Sequence, residues 1–380
     1  MSAFVPLRVR SHGSLLFGMA SPEALVERAS ALGYGALALT DRDNLYLAIR
    51  FYQKARAEGL TPLLGAELGA APHAALLLPL DRRGYANLCR LLTLRHLDPG
   101  FDAITALAEL GCGAHVIVES PGLAASLLAA GVPAARGALG GARGADQAGG
   151  LWLGVRGLPA ERPRLAERAA AARRLGVPLV ATGDCVMLAP ADHPAHRAAV
   201  AAAAGELIER LPPGACAAPE AWLAAPAEWA RRVRAVCAGG GVPEAADEAL
   251  ANNAALAERC RLTLELGTPI FPRAPVPEGE TGPGYLLRLG LEGVRRRYGA
   301  APGSTCHGLG PRGRAARARA ARRLRHELDL IQRLGFTDYF LLVADIVNFA
   351  RAPAENRPGA PAVRPEHPPT TSRAPHPSTP

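Results

Sequence analysis

Apolar residues between Phe4 and about Val186 come in short runs separated by amphipathic stretches, the alternation produced when parallel strands are joined by crossover helices. The runs that predict strands cover residues 5–9, 36–40, 62–68, 74–78, 115–118, 151–155 and 179–182. After the first of them, Ser21 is placed to cap a helix with Pro22 at its first position. Leu25, Ala29 and Leu32 then keep helical spacing, and Gly33 and Gly35 end it. This rhythm is that of an α/β domain.

The rhythm changes along the chain. Residues 131–150 are rich in Gly and Ala without periodicity and read as a surface excursion. Residues 191–262 are almost wholly helical, with a break at Pro212, Pro213 and Gly214. The stretch "LELGTPIFPRAPVPEGET" cannot continue a helix and predicts an extended strap over the preceding domain. Helices are predicted at 285–298 and 314–334, and a last apolar helix at 339–349, where Phe340, Leu341, Val343, Ile346 and Val347 read as core packing. Residues 352–380 are dense in Pro and nearly free of large apolar groups, which predicts disorder.

Composition narrows the function classes. A 49% hydrophobic content supports a buried core, and with only 5% aromatics that core is built mainly from Leu, Val and Ala. The net charge of +9 and pI near 9.6 favour an anionic partner, nucleic acid rather than membrane, because no apolar run is long and free enough of Pro and Gly to span a bilayer. Arg8 and Arg10 before the short apolar run 15–20 imitate a signal peptide, but the run is short for one and reads as mature sequence. Seven scattered cysteines without a CxxC pair argue against structural zinc and disulfides and fit the cytoplasm. In the arginine-rich helix the charges lie on several faces, so phosphate contact and simple solvation both fit; Arg314, Arg317, Arg322 and Arg325 are the nucleic-acid candidates.

The block "LRVRSHGSLLFGMASPEALVERASALGYGALALTDRDNLYLAIRFYQKARAEGLTPLLGAEL" is similar to the opening of the PHP domain in bacterial DNA polymerase III alpha subunits. "HAALLLPLDRRGYANLCRLL", "VPLVATGD", "LAERCRLTLELGTPIFPRAPVPEGET" and "GFTDYFLLVADIVNFAR" follow in the family's order, so the resemblance runs from Phe4 to Arg351. "TDRDNLY" and "VATGD" lean towards its error-prone or accessory branch. The resemblance implies a PHP-type distorted (β/α)7 TIM-like barrel over 1–190 and a helical remainder of the PHP region over 191–270. A strap and the start of a truncated polymerase palm would follow over 271–351, and a disordered tail over 352–380.

In that family His and carboxylate groups at strand ends bind divalent ions that activate water against phosphate esters. The family's first ligand pair is HxH, and the matching positions here are Arg8 and Arg10. Its "TDH" is matched by Thr40, Asp41 and Arg42. Glu67 matches an acidic ligand, His73 a histidine opening the next strand, and Asp184 the aspartate of a DxH pair whose histidine is replaced by Val186. Asp41, Glu67, His73 and Asp184 therefore remain of the ligand set, while Arg8, Arg10, Arg42 and Val186 stand where ligands would be. A guanidinium stays protonated and repels a cation.

The four remaining groups are accordingly expected to be hydrogen-bonding remnants, with no metal cofactor for this chain, although intact relatives take divalent Zn, Mn or Mg. The arginines are expected to neutralise the carboxylates in place of ions. Arg8 and Arg10 would share one face, and His12 would point away from the cluster.

After the last apolar helix the family continues with a phosphate-cradling loop and metal-holding aspartates; neither follows here, so no nucleotide incorporation is expected from these residues. The implied partners are DNA and other replication or repair polymerase subunits, including a proofreading subunit, with no membrane. The leading expectation is a structural, catalytically inactive PHP region of a family whose intact relatives are DNA-directed DNA polymerases. The alternatives are a metal-dependent PHP phosphoesterase or 3'-5' proofreading exonuclease, and a docking module for a polymerase partner subunit.

Overall fold

A computed structural model of the chain describes residues 4–69, 74–137, 149–267, 271–299 and 310–351. Most of the Gly/Ala-rich excursion (138–148) and the whole Pro-rich tail (352–380) lie outside the described residues. Six strands pair in sequence order: β1 (Ala36–Arg42), β2 (Thr61–Leu68), β3 (Ala75–Pro79), β4 (Ala114–Val118), β5 (Leu151–Val155) and β6 (Leu179–Ala181). Helix α1 (Pro22–Ala31) precedes them, and between them lie α2 (Ala48–Ala57), α3 (Arg82–Leu97), α4 (Ala103–Leu110), α5 (Pro121–Ala129) and α6 (Arg162–Leu175). α1 starts as the sequence predicts, with the Ser21 side chain accepting from the Ala24 amide at 3.1 Å and Pro22 in the first turn.

The expectation of parallel strands holds for β1–β2, β4–β5 and β5–β6 and fails at β3, which runs antiparallel to both neighbours. Only residues 69–74 separate β2 from β3, too few for a crossover, so the chain has to turn back. Gly65 lets the two strands approach: a Cβ there would come within 2.3 Å of the Leu77 carbonyl oxygen.

The segment expected as a strand at 5–9 is not a regular strand, yet it spans the gap between the sheet's two ends. The Leu7 amide donates to Thr182 at 2.8 Å and Cys185 to Arg8 at 2.9 Å, while Ala38 donates to Pro6 at 3.2 Å and Thr40 to Val9 at 2.8 Å. Pro6 has no N–H, and the Leu7 and Arg8 amides share the Thr182 oxygen, so the ladder is irregular. Asn253 on α9 (Ala245–Arg259) fastens the same segment, bonding Val5 through both its amide and carbonyl and reaching Ala181 at 2.8 Å.

Alternate strand residues face two cores. Leu7, Ala38, Leu63, Leu78, Ile117, Trp152 and Val180 pack together inside the curved sheet, whereas Leu37, Leu39, Leu64, Val116, Leu151 and Leu153 meet the surrounding helices. One polar pair lies on the interior side: Trp152 donates its indole N–H to His115 Nδ1 at 2.9 Å. Burial pushes the His115 imidazole down to about 3, so it is neutral.

The chain divides at Leu264/Glu265 into two units. α7 (His193–Ala204), α8 (Pro226–Gly239) and α9 belong to the first; α10 (Gly282–Tyr298), α11 (Pro311–Arg333) and α12 (Thr337–Arg351) belong to the second. Within the second unit the extended segment after Phe271 contacts the start of α12: the Phe271 ring meets Phe336 and Tyr339 edge-on, and the Ala274 amide donates to Asp338 at 3.2 Å. The expectation that α12 is core is corrected here. Leu341 is buried, but Phe340, Val343, Ile346 and Val347 are exposed, because the described contacts of α12 cover only the side that carries Leu341.

Candidate functional site

The inward-facing parity of the barrel strands runs on past the apolar layer into charge. Ala38 and Thr40 lead to Arg42 on β1, and Leu63 and Gly65 to Glu67 on β2. Ile117 leads to Glu119 just after β4, Trp152 and Gly154 to Arg156 just after β5, and Val180 and Thr182 to Asp184 after β6. These five meet Arg8 and Arg10 from the closing segment at the carboxyl ends of the parallel strands.

Glu67 is the hub. Its Oε2 lies 3.1 Å from Arg10 Nε and 3.4 Å from Arg8 Nε, and its Oε1 lies 4.0 Å from Arg42 Nη2. The two Nε contacts are close in charge but misaligned as hydrogen bonds, leaving Glu67 Oε2 and both Nε groups without one. Arg10 Nη2 also donates to Asp184 at 2.9 Å, and Arg8 Nη1 to Glu119. Arg156 closes the ring, 3.3 Å from Asp184 and 3.2 Å from Glu119. Behind it Glu161 accepts from Arg168 at 2.7 Å and from the Gly157 amide at 2.9 Å. Arg8 and Arg10 therefore reach the same carboxylate.

The ionisation of these groups follows from the lattice. Burial works against the Glu67 and Asp184 carboxylates, yet Arg10, Arg8 and Arg42 around the first, and Arg10, Arg8 and Arg156 around the second, outweigh it and hold both below the usual range. Burial likewise opposes the Arg8 and Arg156 charges, and the surrounding carboxylates raise both above the ordinary arginine value. Arg42 is the exception. Burial and the nearby Arg10 and Arg8 lower it despite Glu67. It lies instead on the Phe17 ring, 4.7 Å from the centroid, with Arg10 at 5.1 Å.

Asp41 is held separately. It accepts from the Ser11 amide at 2.7 Å, Ser11 Oγ at 2.6 Å and Ser14 Oγ at 2.7 Å, inside a turn where Gly13 leaves no room for a Cβ. Burial raises its carboxyl above the ordinary value against these hydrogen bonds. Val186 is fully buried with Met187 and Ala221, next to Phe17 and Met19. His12 is exposed, and His73 lies outside the described residues.

Sequence reasoning named Arg8, Arg10, Arg42, Asp41, Glu67 and Asp184 and missed Glu119, Arg156, Ser11 and Ser14. For Glu119 and Arg156 a signal existed: each is the first charged residue after a buried strand, in step with that strand's inward positions. On α11, Arg314, Arg322 and Arg325 are exposed and Arg317 is half-buried.

A divalent ion does not fit this donor set. Glu67 and Asp184 already face guanidinium groups, Asp41 is occupied by two serines, and one ligand position is a buried valine. Among the described residues no group of three or more His, Cys, Asp or Glu side chains is arranged to hold a metal ion. None of the described helices is long and apolar enough to cross a membrane.

Comparison with known proteins supplies the lineage. Residues 6–125 match the PHP domain family, and residues 284–355 match the bacterial DNA polymerase III alpha NTPase domain family. An error-prone DNA polymerase of Symbiobacterium thermophilum is 31% identical over 92% of this chain and 32% of its own length. The DNA polymerase III subunit alpha of Bacillus subtilis is 30% identical over 92% of the chain and 30% of its own length. An error-prone DNA polymerase of Mycobacterium bovis is 34% identical over 92% and 32%. The chain thus spans about a third of these relatives. A solved structure described as a metal-dependent phosphoesterase, from Bifidobacterium adolescentis, is 15% identical with a TM-score of 0.32, covering 48% of this chain and 87% of its own. The chain therefore carries a match to the PHP domain followed by one to the bacterial DNA polymerase III alpha NTPase domain, and is similar over 92% of its length to error-prone DNA polymerases and DNA polymerase III alpha subunits.

Proposed function

We propose that the barrel is a structural, metal-independent PHP domain, in which arginines stand in for the cations that its carboxylates would otherwise need. The observation that carries this reading is Glu67, a buried carboxylate within 4.0 Å of three separate guanidinium groups. Without counter-charge, Glu67 and Asp184 would repel one another and protonate; the guanidinium groups hold both ionised and, with Glu119, tie together five strand ends. As part of a polymerase-family protein it would work alongside DNA and other replication subunits, with the barrel acting as scaffold.

Thermal unfolding of the full chain with added Zn²⁺ or Mn²⁺, and again with chelator, tests the proposal. The melting temperature is expected to stay unchanged, and the protein is expected not to hydrolyse a phosphodiester such as bis-p-nitrophenyl phosphate. A chelator-reversible rise in melting temperature accompanied by hydrolysis would instead establish the phosphoesterase reading through Asp41, Glu67, His73 and Asp184.

A further inference from the structure

The amino ends of β1 and β2, at the opposite end of the barrel from the charged mouth, border a cavity. Small residues leave the space: Gly35 and Ala36 where β1 begins, and Ala254 and Ala257 on α9. A Cβ added at Gly35 would meet no atom within 4 Å. Phe4 and Val5 of the closing segment, Pro62 on β2 and Leu262 supply an apolar wall. The volume is about 470 Å³, within the range of small-molecule sites. Every lining residue belongs to the first unit.

The polar side chains of the lining are donors, with one exception. Arg56 and Arg261 are exposed, and neither has an acidic partner among the described residues. Arg50 and Lys54, on the same helix as Arg56, are by contrast paired with Glu23, Glu27 and Glu58. Arg261 Nε donates to the Glu258 carbonyl at 3.2 Å, which occupies one edge of its guanidinium. The Tyr52 hydroxyl accepts from the Leu264 amide at 3.2 Å and keeps its own proton to donate, and the Thr61 hydroxyl is a further donor. Burial pushes the Cys260 thiol up to about 12, so it brings no negative charge. Glu258 is the one carboxylate in the lining, against two guanidinium groups.

We propose that this cavity binds a small organic anion, with a carboxylate or phosphate monoester head on a compact apolar body. The head meets Arg56 and Arg261, whose planar forks of donors suit oxyanions. The body lies against Phe4, Val5, Pro62 and Leu262 and removes them from water. A neutral ligand leaves the excess positive charge uncompensated, and a bare inorganic ion leaves the apolar wall wet. Because the ligand touches α2, β2, α9 and the segment 260–263 at once, binding also stabilises the folded barrel. The cavity shares no residue with the lattice of arginines and carboxylates, so its failure leaves the metal-independent reading of the barrel standing.

Isothermal titration calorimetry on the full chain tests the proposal with 1-naphthoate, 1-naphthyl phosphate, the neutral 1-naphthalenemethanol and inorganic phosphate. At least one anionic naphthyl probe is expected to bind at about one site per chain, about tenfold or more tighter than naphthalenemethanol or inorganic phosphate. The tighter of the two identifies the head group. Arg56→Ala and Arg261→Ala are each expected to weaken binding about tenfold, and Glu258→Gln to tighten it about threefold. Gly35→Leu fills the empty space and is expected to abolish binding while circular dichroism stays that of the parent. Should that variant fail to fold, the arginine and Glu258 variants decide alone. The exposed pair Arg173→Ala, Arg174→Ala on α6 is the control and is expected to change nothing. No binding at millimolar probe, equal affinity for the neutral probe, equal weakening in the α6 control, weaker binding in Glu258→Gln, or binding that survives Gly35→Leu would each overturn the proposal.

Discussion

The two units spend the same residue type in opposite ways. In the barrel, Arg8 and Arg10 are buried and each reaches two carboxylates; on α11, Arg319, Arg322 and Arg325 are exposed along a stretch that contains no acid. Burial makes the difference. An interior guanidinium has lost its water and must recover that loss from carboxylates, so its removal unbalances a network. A surface guanidinium keeps its hydration, contributes little to folding and stays available to an external anion. A sequence-wide charge of +9 hides this division, because it counts both kinds alike.

The sharpest way to break the comparison is at the hub. Glu67→Gln keeps the shape but leaves Arg8, Arg10 and Arg42 facing a neutral amide, and should cost about 3–5 kcal/mol in urea unfolding. A loss under 1 kcal/mol would mean that Glu119 and Asp184 neutralise the cluster unaided. Next come single arginine deletions, which should rank by burial. Arg10→Ala strips Glu67 and Asp184 of a shared partner and should cost about 3 kcal/mol. Arg42→Ala, which loses a 4.0 Å contact and the Phe17 stacking, should cost about 1 kcal/mol. Arg319→Ala on α11 should stay within about 0.5 kcal/mol. Equal effects for Arg10 and Arg319 would dissolve the contrast between the units.

In acid, contributions of opposite sign compete, and the share of Asp41 is the smallest effect expected. Glu67 and Asp184 titrate below their ordinary values of 4.5 and 3.8, so their stabilisation is complete above those values and is lost as pH falls below them. Asp41 titrates above 3.8, so its burial cost at neutral pH is relieved as it takes up a proton. His115, pushed down to about 3 by burial, stays neutral while the unfolded chain takes up a proton below 6.5, so unfolding free energy should fall through mild acid, with the Asp41 relief only blunting the fall. Asp41→Asn should make the fall steeper; a fall no steeper than the parent's would assign the opposing contribution to another group.

Much of the site was written in local pattern. Strand parity places Arg42, Glu67, Glu119, Arg156 and Asp184 on the inward side; the first, second and fifth were named through the family motifs, and the other two, which those motifs did not include, were readable only from that parity. The direction of β3 was equally accessible, since six residues cannot form a crossover. The exposure of α12 was not. A helix rich in large apolar residues reads as buried, and which side of it is covered depends on what packs beside it.

By itself, the sequence determined the positions of the six paired strands, the Ser21 cap and the residue types that reach the barrel mouth, because backbone period and capping chemistry act over a few residues. It did not determine who pairs with whom. Arg8 meets Glu119 across 111 residues and Arg10 meets Asp184 across 174, contacts that exist only because an irregular N-terminal segment closes the sheet. Whether an arginine becomes a buried counter-charge or an exposed anion surface was likewise decided by the tertiary structure, since desolvation depends on the surrounding atoms and not on the neighbouring letters.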